Sequence, residues 1–267
     1  MTQSLALMLN SCDKYRDLWP VFLDWFYKNS PVKDIPVYIN SESQDYSDPR
    51  FQIINVHPPK PVSFSERLGY CVSQVKEDYL LSMPEECILE RAMDPAKIDR
   101  ALAILAEGDV ASVCLVHIPG KKRAAEDRYF PYVERKYDYR NLISQQAAIW
   151  NTKKLRQYIK PGMNPWEYEI YSSARGVLNH DRFFSVIDAE EEVAAYNYGY
   201  LVYRGYWCKE EIDRLEAQYG ISFDRNAREC LPMDEIRQKT NGINLFWIRV
   251  FIHKMIIIVL RKVGIRI

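Results

Sequence analysis

The 267-residue sequence has no Gly-x-Gly-x-x-Gly and no Gly-x-x-x-x-Gly-Lys-[Ser/Thr] run, which removes the usual dinucleotide and P-loop signatures without excluding nucleotide binding. It has no Gly-x-Ser-x-Gly, so a nucleophile-elbow hydrolase is not indicated. It has no Cys-x-x-Cys, and its four histidines (His57, His117, His180, His253) are not spaced as metal ligands, which argues against a zinc enzyme. Ten glycines and fourteen prolines, with no biased tract or fixed period, exclude collagen-like, solenoid and disordered classes. The N-terminal apolar stretch 5–9 is short, with no basic residues before it and no small-residue cleavage site. A cleaved signal peptide is therefore not expected. The six scattered cysteines read as reduced, mostly buried thiols of a cytoplasmic protein.

Net charge is also missing, since 36 basic and 36 acidic residues cancel, but the zero is a sum of unlike parts. Seven basic residues and no acidic ones follow Glu235, leaving 29 basic against 36 acidic before it. The acidic body disfavours nucleic acid as a partner. The basic, apolar end at 243–267 holds no uninterrupted apolar run near the roughly 20 residues needed to span a bilayer. It reads as an amphipathic helix, lying either at an anionic membrane surface or against the core or a second copy; the interface is the expectation carried forward.

What is present is a strand and helix alternation. Apolar runs at 4–9, 35–39, 51–56, 78–83 and 109–118 have strand length, and helical spacing appears at 17–29, 63–76 and from Asp94-Pro95 through Leu105. Ser63 and Glu66 stand as a capping box. Further on, 142–150 leads into a helix at Asn151-Thr152, 165–178 and 209–219 are helical, and 182–187 and 198–203 are strands. The order predicts an α/β fold whose mostly parallel, Rossmann-like sheet is flanked by helices, as one domain over 1–242. Within it, 1–120 is the nucleotide-type half and 121–242 the substrate-shaping half.

Ligands of open α/β sheets gather beyond the C-terminal strand ends, so the residues after each strand carry the chemistry. After the first strand stand Ser11, Cys12, Asp13 and Tyr15, either a pocket for a base and ribose or a plain polar turn capping the next helix. After the strand at 78–83 stand Glu85 and Glu86, whose mutual repulsion a divalent cation or solvent would relieve. Arg67 offers a fork for phosphate, or simply a surface cation. Glu167 and Glu169 beside Trp166 and Tyr168 open a helix; they are either acids favouring its positive end or a base next to sugar-binding rings.

Five segments in order, SCDKY-x-DLW (11–19), FSERLGY (64–70), DYLLSMPEECIL (78–89), YDYRNLISQQAAIW (137–150) and NPWEYE (164–169), resemble bacterial GT-A-fold glycosyltransferases that build surface polysaccharides such as lipopolysaccharide O-antigen or capsule. The resemblance covers about 5–207. It implies a nucleotide-diphosphate sugar as donor and a growing, lipid-linked glycan as acceptor, handled on the inner face of the cell membrane. It places the nucleobase on Ser11, Cys12, Asp13 and Tyr15, and Mn2+ or Mg2+ with the diphosphate on Glu85 and Glu86, where adjacent glutamates replace the family's Asp-x-Asp. It makes Glu169, then Glu167, the base of an inverting reaction. Arg67 and Arg140 are phosphate candidates, and Gln145 and Trp166 acceptor contacts. The competing readings are an inert sugar- or nucleotide-binding partner and a nucleotidyltransferase.

Overall fold

The computed structural model describes residues 4–136, 142–197 and 199–240, together with Met255 and Val259. Arg140, Tyr198 and the 243–267 segment lie outside the described residues, apart from Met255 and Val259, which are helical and exposed.

β1 (Leu5–Asn10) is buried at every position. It pairs in parallel with β2 (Val37–Asn40) on one side and, across the numbering, with β4 (Tyr79–Pro84) on the other. A strand covered on both edges and both faces reads as a continuous apolar run. β3 (Ile53–Val56) adds a parallel edge. β5 (Val110–Cys114), β6 (Tyr132–Glu134), β7 (Ala148–Asn151) and β8 (Arg182–Val186) complete one eight-stranded sheet in the order β3-β2-β1-β4-β7-β5-β8-β6. β7 runs antiparallel between β4 and β5, and β6 antiparallel beside β8. β5 and β8 are parallel to each other. The sheet is therefore mixed, with the parallel strands in the majority, as expected.

The expected strand at 109–118 ends early. Leu115 donates to the Ala147 carbonyl, and its own carbonyl accepts from Val193 and Ala194, so this backbone leaves the sheet to line a loop region. A second, three-stranded sheet of β9 (Val202–Tyr203), β10 (Tyr206–Cys208) and β11 (Cys230–Leu231) follows.

The helices are α1 (Trp19–Asn29), α2 (Phe64–Gln74), α3 (Pro95–Leu105), α4 (Thr152–Tyr158), α5 (Pro165–Asn179), α6 (Lys209–Tyr219) and α7 (Met233–Thr240). Their starts follow local chemistry. Ser63 and Glu66 form the capping box of α2, Asp94 caps α3 ahead of Pro95, and Asn164 with Glu167 forms a second capping box on α5. The two boxes are tied together: Ser63 Oγ accepts from Gly162 N–H, Ser65 Oγ from Met163 N–H, and Met163 O from Ser65 N–H. This link holds the start of α5 against the start of α2. One apolar cluster runs from Leu5 to Phe223 through the sheet. The six cysteines are free; Cys71, Cys87, Cys114 and Cys208 are buried, and Cys12 and Cys230 half-buried. Among the described residues no helix is long and apolar enough to cross a membrane.

Candidate functional site

The register sets the site. Asn10 is level with Asn40 on one side and with Pro84 on the other, so the chain leaves all three strands at one edge of the sheet. Because β7 is antiparallel and its Ala148 lies opposite Ser82 and Cys114, the residues before it reach the same edge. Three distant parts of the sequence, 10–15, 84–87 and 144–147, thereby become neighbours.

On the β1 side, Arg67 is buried and reaches across from α2. Its guanidinium donates to the Ser11 carbonyl at 2.9 Å and pairs with the Glu42 carboxylate. Its Nε has no protein partner. Glu42 also accepts the Asp13 amide at 2.5 Å. The Asp13 carboxylate is committed to the loop after β2, accepting the amides of Glu42, Ser43 and Gln44 at 3.0–3.2 Å and the Ser43 hydroxyl at 2.7 Å. These bonds lower its pKa against the opposing effect of burial, and they make Asp13 an anchor of loop shape. Ser11 Oγ accepts the Trp19 indole N–H at 2.7 Å. Burial, followed by the Glu85 charge, raises the Cys12 thiol to about 11 and the Tyr15 phenol to about 12, so both are protonated, neutral groups at neutral pH. The Arg228 guanidinium stacks 4.5 Å from the Tyr15 ring centre while bound to Asp17, fixing that ring.

Glu85 and Glu86 part company. Both stand in the turn that follows β4; Glu85 is buried beside the Ser11 hydroxyl and Arg67, while Glu86 lines a cavity. Burial raises Glu85 to about 8 and Glu86 to about 7. Among the described residues no three His, Cys, Asp or Glu side chains converge as a cation site. Of the two residues expected to hold Mn2+ or Mg2+, Glu85 is buried and only Glu86 lines the cavity.

A carboxyl with a raised pKa holds its proton more tightly in the native than in the unfolded chain. The native state accordingly loses stability as pH climbs from the ordinary value of 4.5 toward about 8. Glu85→Gln keeps the shape and removes that ionisation. It is expected to melt above the parent at pH 8 and level with it near pH 4.5, with about 2–4 °C for each kcal/mol relieved. A thermal melt at the two pH values checks this.

The cavity measures about 520 Å³, within the range of small-molecule sites. Among its lining residues are Glu86, Gln145 and Glu169 of those predicted from sequence, and His117, Glu192 and Tyr196, which were not. Glu169 projects from α5 and accepts the Gln145 amide at 2.7 Å. Its burial raises its pKa, the hydrogen bond from the Gln145 amide opposing. The Gln145 side chain accepts from Asn10 at 2.8 Å, and Asn10 from Asn40 at 2.7 Å, so a chain of amides runs from β2 through β1 to the loop that holds Glu169. On the facing wall Glu192 accepts the His117 amide at 2.9 Å. Burial and the Lys122 charge lower the His117 pKa, leaving its ring neutral at neutral pH.

Glu167 and Trp166 are not among the lining residues. Glu167 is occupied with the α5 capping box, and Trp166 is exposed by 64%, one helical turn before Glu169. The sequence carries one sign of the missed wall, the acidic run at 190–192. Nothing local in it marks His117 or Tyr196.

No protein-family model and no curated protein sequence matches this chain. Among solved structures it is similar to S. aureus TarS, at 10% identity over 73% of this chain and 36% of that one, with a TM-score of 0.46. It is similar to the mannosyltransferase PcManGT from Pyrobaculum calidifontis, solved with GDP-Man and Mn2+, at 12% identity over 74% and 59%, TM-score 0.46. It is similar to the UTP-bound UGPase from Acinetobacter baumannii at 8% identity over 69% and 86%, TM-score 0.44. The chain thus spans about a third and somewhat over half of the first two. At such scores these likenesses carry no argument about activity; the α/β class rests on the strand order itself.

Proposed function

We propose that this chain is a GT-A-like glycosyltransferase that moves a sugar from a nucleotide-diphosphate donor to a hydroxyl of a growing, lipid-linked surface glycan such as O-antigen or capsule. The observation that carries this is Glu169. It is a half-buried carboxylate with a raised pKa, held by a backbone amide in a sugar-sized cavity at the C-terminal edge of the parallel strands.

In this reading the loop of Ser11, Cys12 and Tyr15, shaped by Asp13 and Arg67, holds the nucleoside, and the Arg67 and Glu42 pair lies behind it. Glu169 accepts the proton of the acceptor hydroxyl as its oxygen attacks the anomeric carbon. The bond from that carbon to the diphosphate breaks, and the nucleoside diphosphate leaves with the electron pair, inverting the centre. Gln145 contacts a hydroxyl in the cavity, and the exposed Trp166 ring offers a face to the acceptor. Glu167 serves by fixing the start of α5.

Binding is tested by melting the protein with a panel of nucleoside diphosphate sugars, since a ligand at about 100 times its Kd stabilises by about 2.7 kcal/mol. At least one is expected to raise Tm. No shift with any of them contradicts the reading.

The 243–267 segment is assigned to the cytoplasmic membrane surface, where its five basic residues contribute about 1 kcal/mol each near anionic lipid. Deleting it is expected to release the protein from anionic vesicles in a flotation assay while activity on a soluble acceptor persists. Unchanged association would refute the assignment.

A further inference from the structure

The cavity is lined by three carboxylates from three separate parts of the chain, Glu86 after β4, Glu169 on α5 and Glu192 on the facing loop. Among the described residues no lysine or arginine lines it. Of the nearby cations, Arg91 lies close enough for its charge to act on Glu192. Arg91 donates to the Glu192 carbonyl at 2.9 Å, and Lys122 bonds the carbonyls of Val186 and Ile187. His117 on the same wall is neutral at neutral pH.

The three carboxylates do not close on a common point as cation ligands do. They stand around a space of about 520 Å³, where a ring carrying several hydroxyls can meet all of them. Burial raises the pKa of each, that of Glu86 to about 7, and a carboxyl accepts hydrogen bonds when ionised and can donate one when protonated. A hydroxyl suits either state and an ammonium suits the ionised one. A ligand carboxylate on the sugar ring meets like charge wherever the wall is ionised, with little water to screen it.

We infer that the cavity holds a neutral or amine-bearing pyranose and rejects sugars carrying an acidic group, with Glu86 and Glu192 setting that choice. The inference rests on reading the cavity as the sugar site of the proposed transferase, and it names the class of sugar.

The test uses the intact protein and three simple ligands at pH 7, methyl glucopyranoside, methyl glucosaminide and methyl glucuronide, with affinities measured by ligand-observed NMR titration. The first two are expected to bind, and the glucuronide at least about tenfold more weakly, the effect of roughly 1.4 kcal/mol of like-charge opposition. Glu192→Gln and Glu86→Gln are each expected to narrow that ratio. Equal or tighter binding of the glucuronide by the parent protein, or no binding of the neutral glycoside, overturns the inference. Discrimination found in a protein that transfers no sugar supports it and faults the reaction assignment alone.

Discussion

Glu169→Gln is expected to lower the transfer rate by about 10²–10⁴-fold while leaving donor affinity within a few fold. The amide oxygen of glutamine can still accept the Gln145 N–H, which the carboxylate accepts at 2.7 Å, so the loop before β7 keeps its place. What is lost is the carboxylate proposed to take the proton from the acceptor. The raised pKa of Glu169 adds a pH signature. The base works when ionised, so the parent rate is expected to fall on acidification at a pH above the ordinary carboxylate range, and the residual rate of the variant to lack that limb. Turnover assays across pH, alongside donor titration, check both. Full turnover by Glu169→Gln would remove it from the chemistry.

The second large effect is expected at Arg67, acting through position. Its guanidinium carries the Ser11 carbonyl and the Glu42 carboxylate, and Glu42 in turn holds the Asp13 amide. Arg67→Met fills a similar volume but leaves the Ser11 carbonyl without that donor and removes the positive charge that acts on the buried Glu85. Glu42 is 45% exposed and re-solvates, so the ion pair itself contributes little. The lost charged hydrogen bond in the interior contributes about 1.5–3 kcal/mol. Stability measured by urea unfolding is expected to fall by about 2 kcal/mol, and donor affinity by about tenfold or more as the loop loosens. Arg67→Lys keeps the charge without the fork and is expected to recover only part of either. Unchanged donor affinity in Arg67→Met would show that the loop is held by other means.

The elements legible in the sequence are those written locally. β1 is a continuous apolar run and is an interior strand; Ser63 with Glu66 and Asp94 with Pro95 mark helix starts where the structure has them. β6 and β7 were not legible as antiparallel strands, because three or four residues hold too little pattern to state direction. That direction matters, since β7 running against its neighbours is what carries Gln145 to the edge where Glu86 and Asn10 stand.

The site divides in the same way. Gln145, Glu86 and Glu169 line one cavity, and Glu167 and Asp13 are occupied in holding backbone. Glu85 and Glu86 look like one acidic pair in sequence, yet in the turn after β4 Glu85 is buried beside Ser11 and Arg67 and Glu86 lines the cavity. His117, Glu192 and Tyr196 were out of reach because they meet Glu169 only through long-range packing of loops.

The most direct test of the central claim is product analysis. The purified protein is incubated in parallel with nucleotide-sugar donors plus a lipid-linked glycan acceptor, and with nucleoside triphosphates plus sugar 1-phosphates. Release of nucleoside diphosphate, with a glycan one sugar longer, is the result the account predicts. Release of pyrophosphate from the second mixture, with no nucleoside diphosphate from the first, would contradict it and make the chain a nucleotidyltransferase.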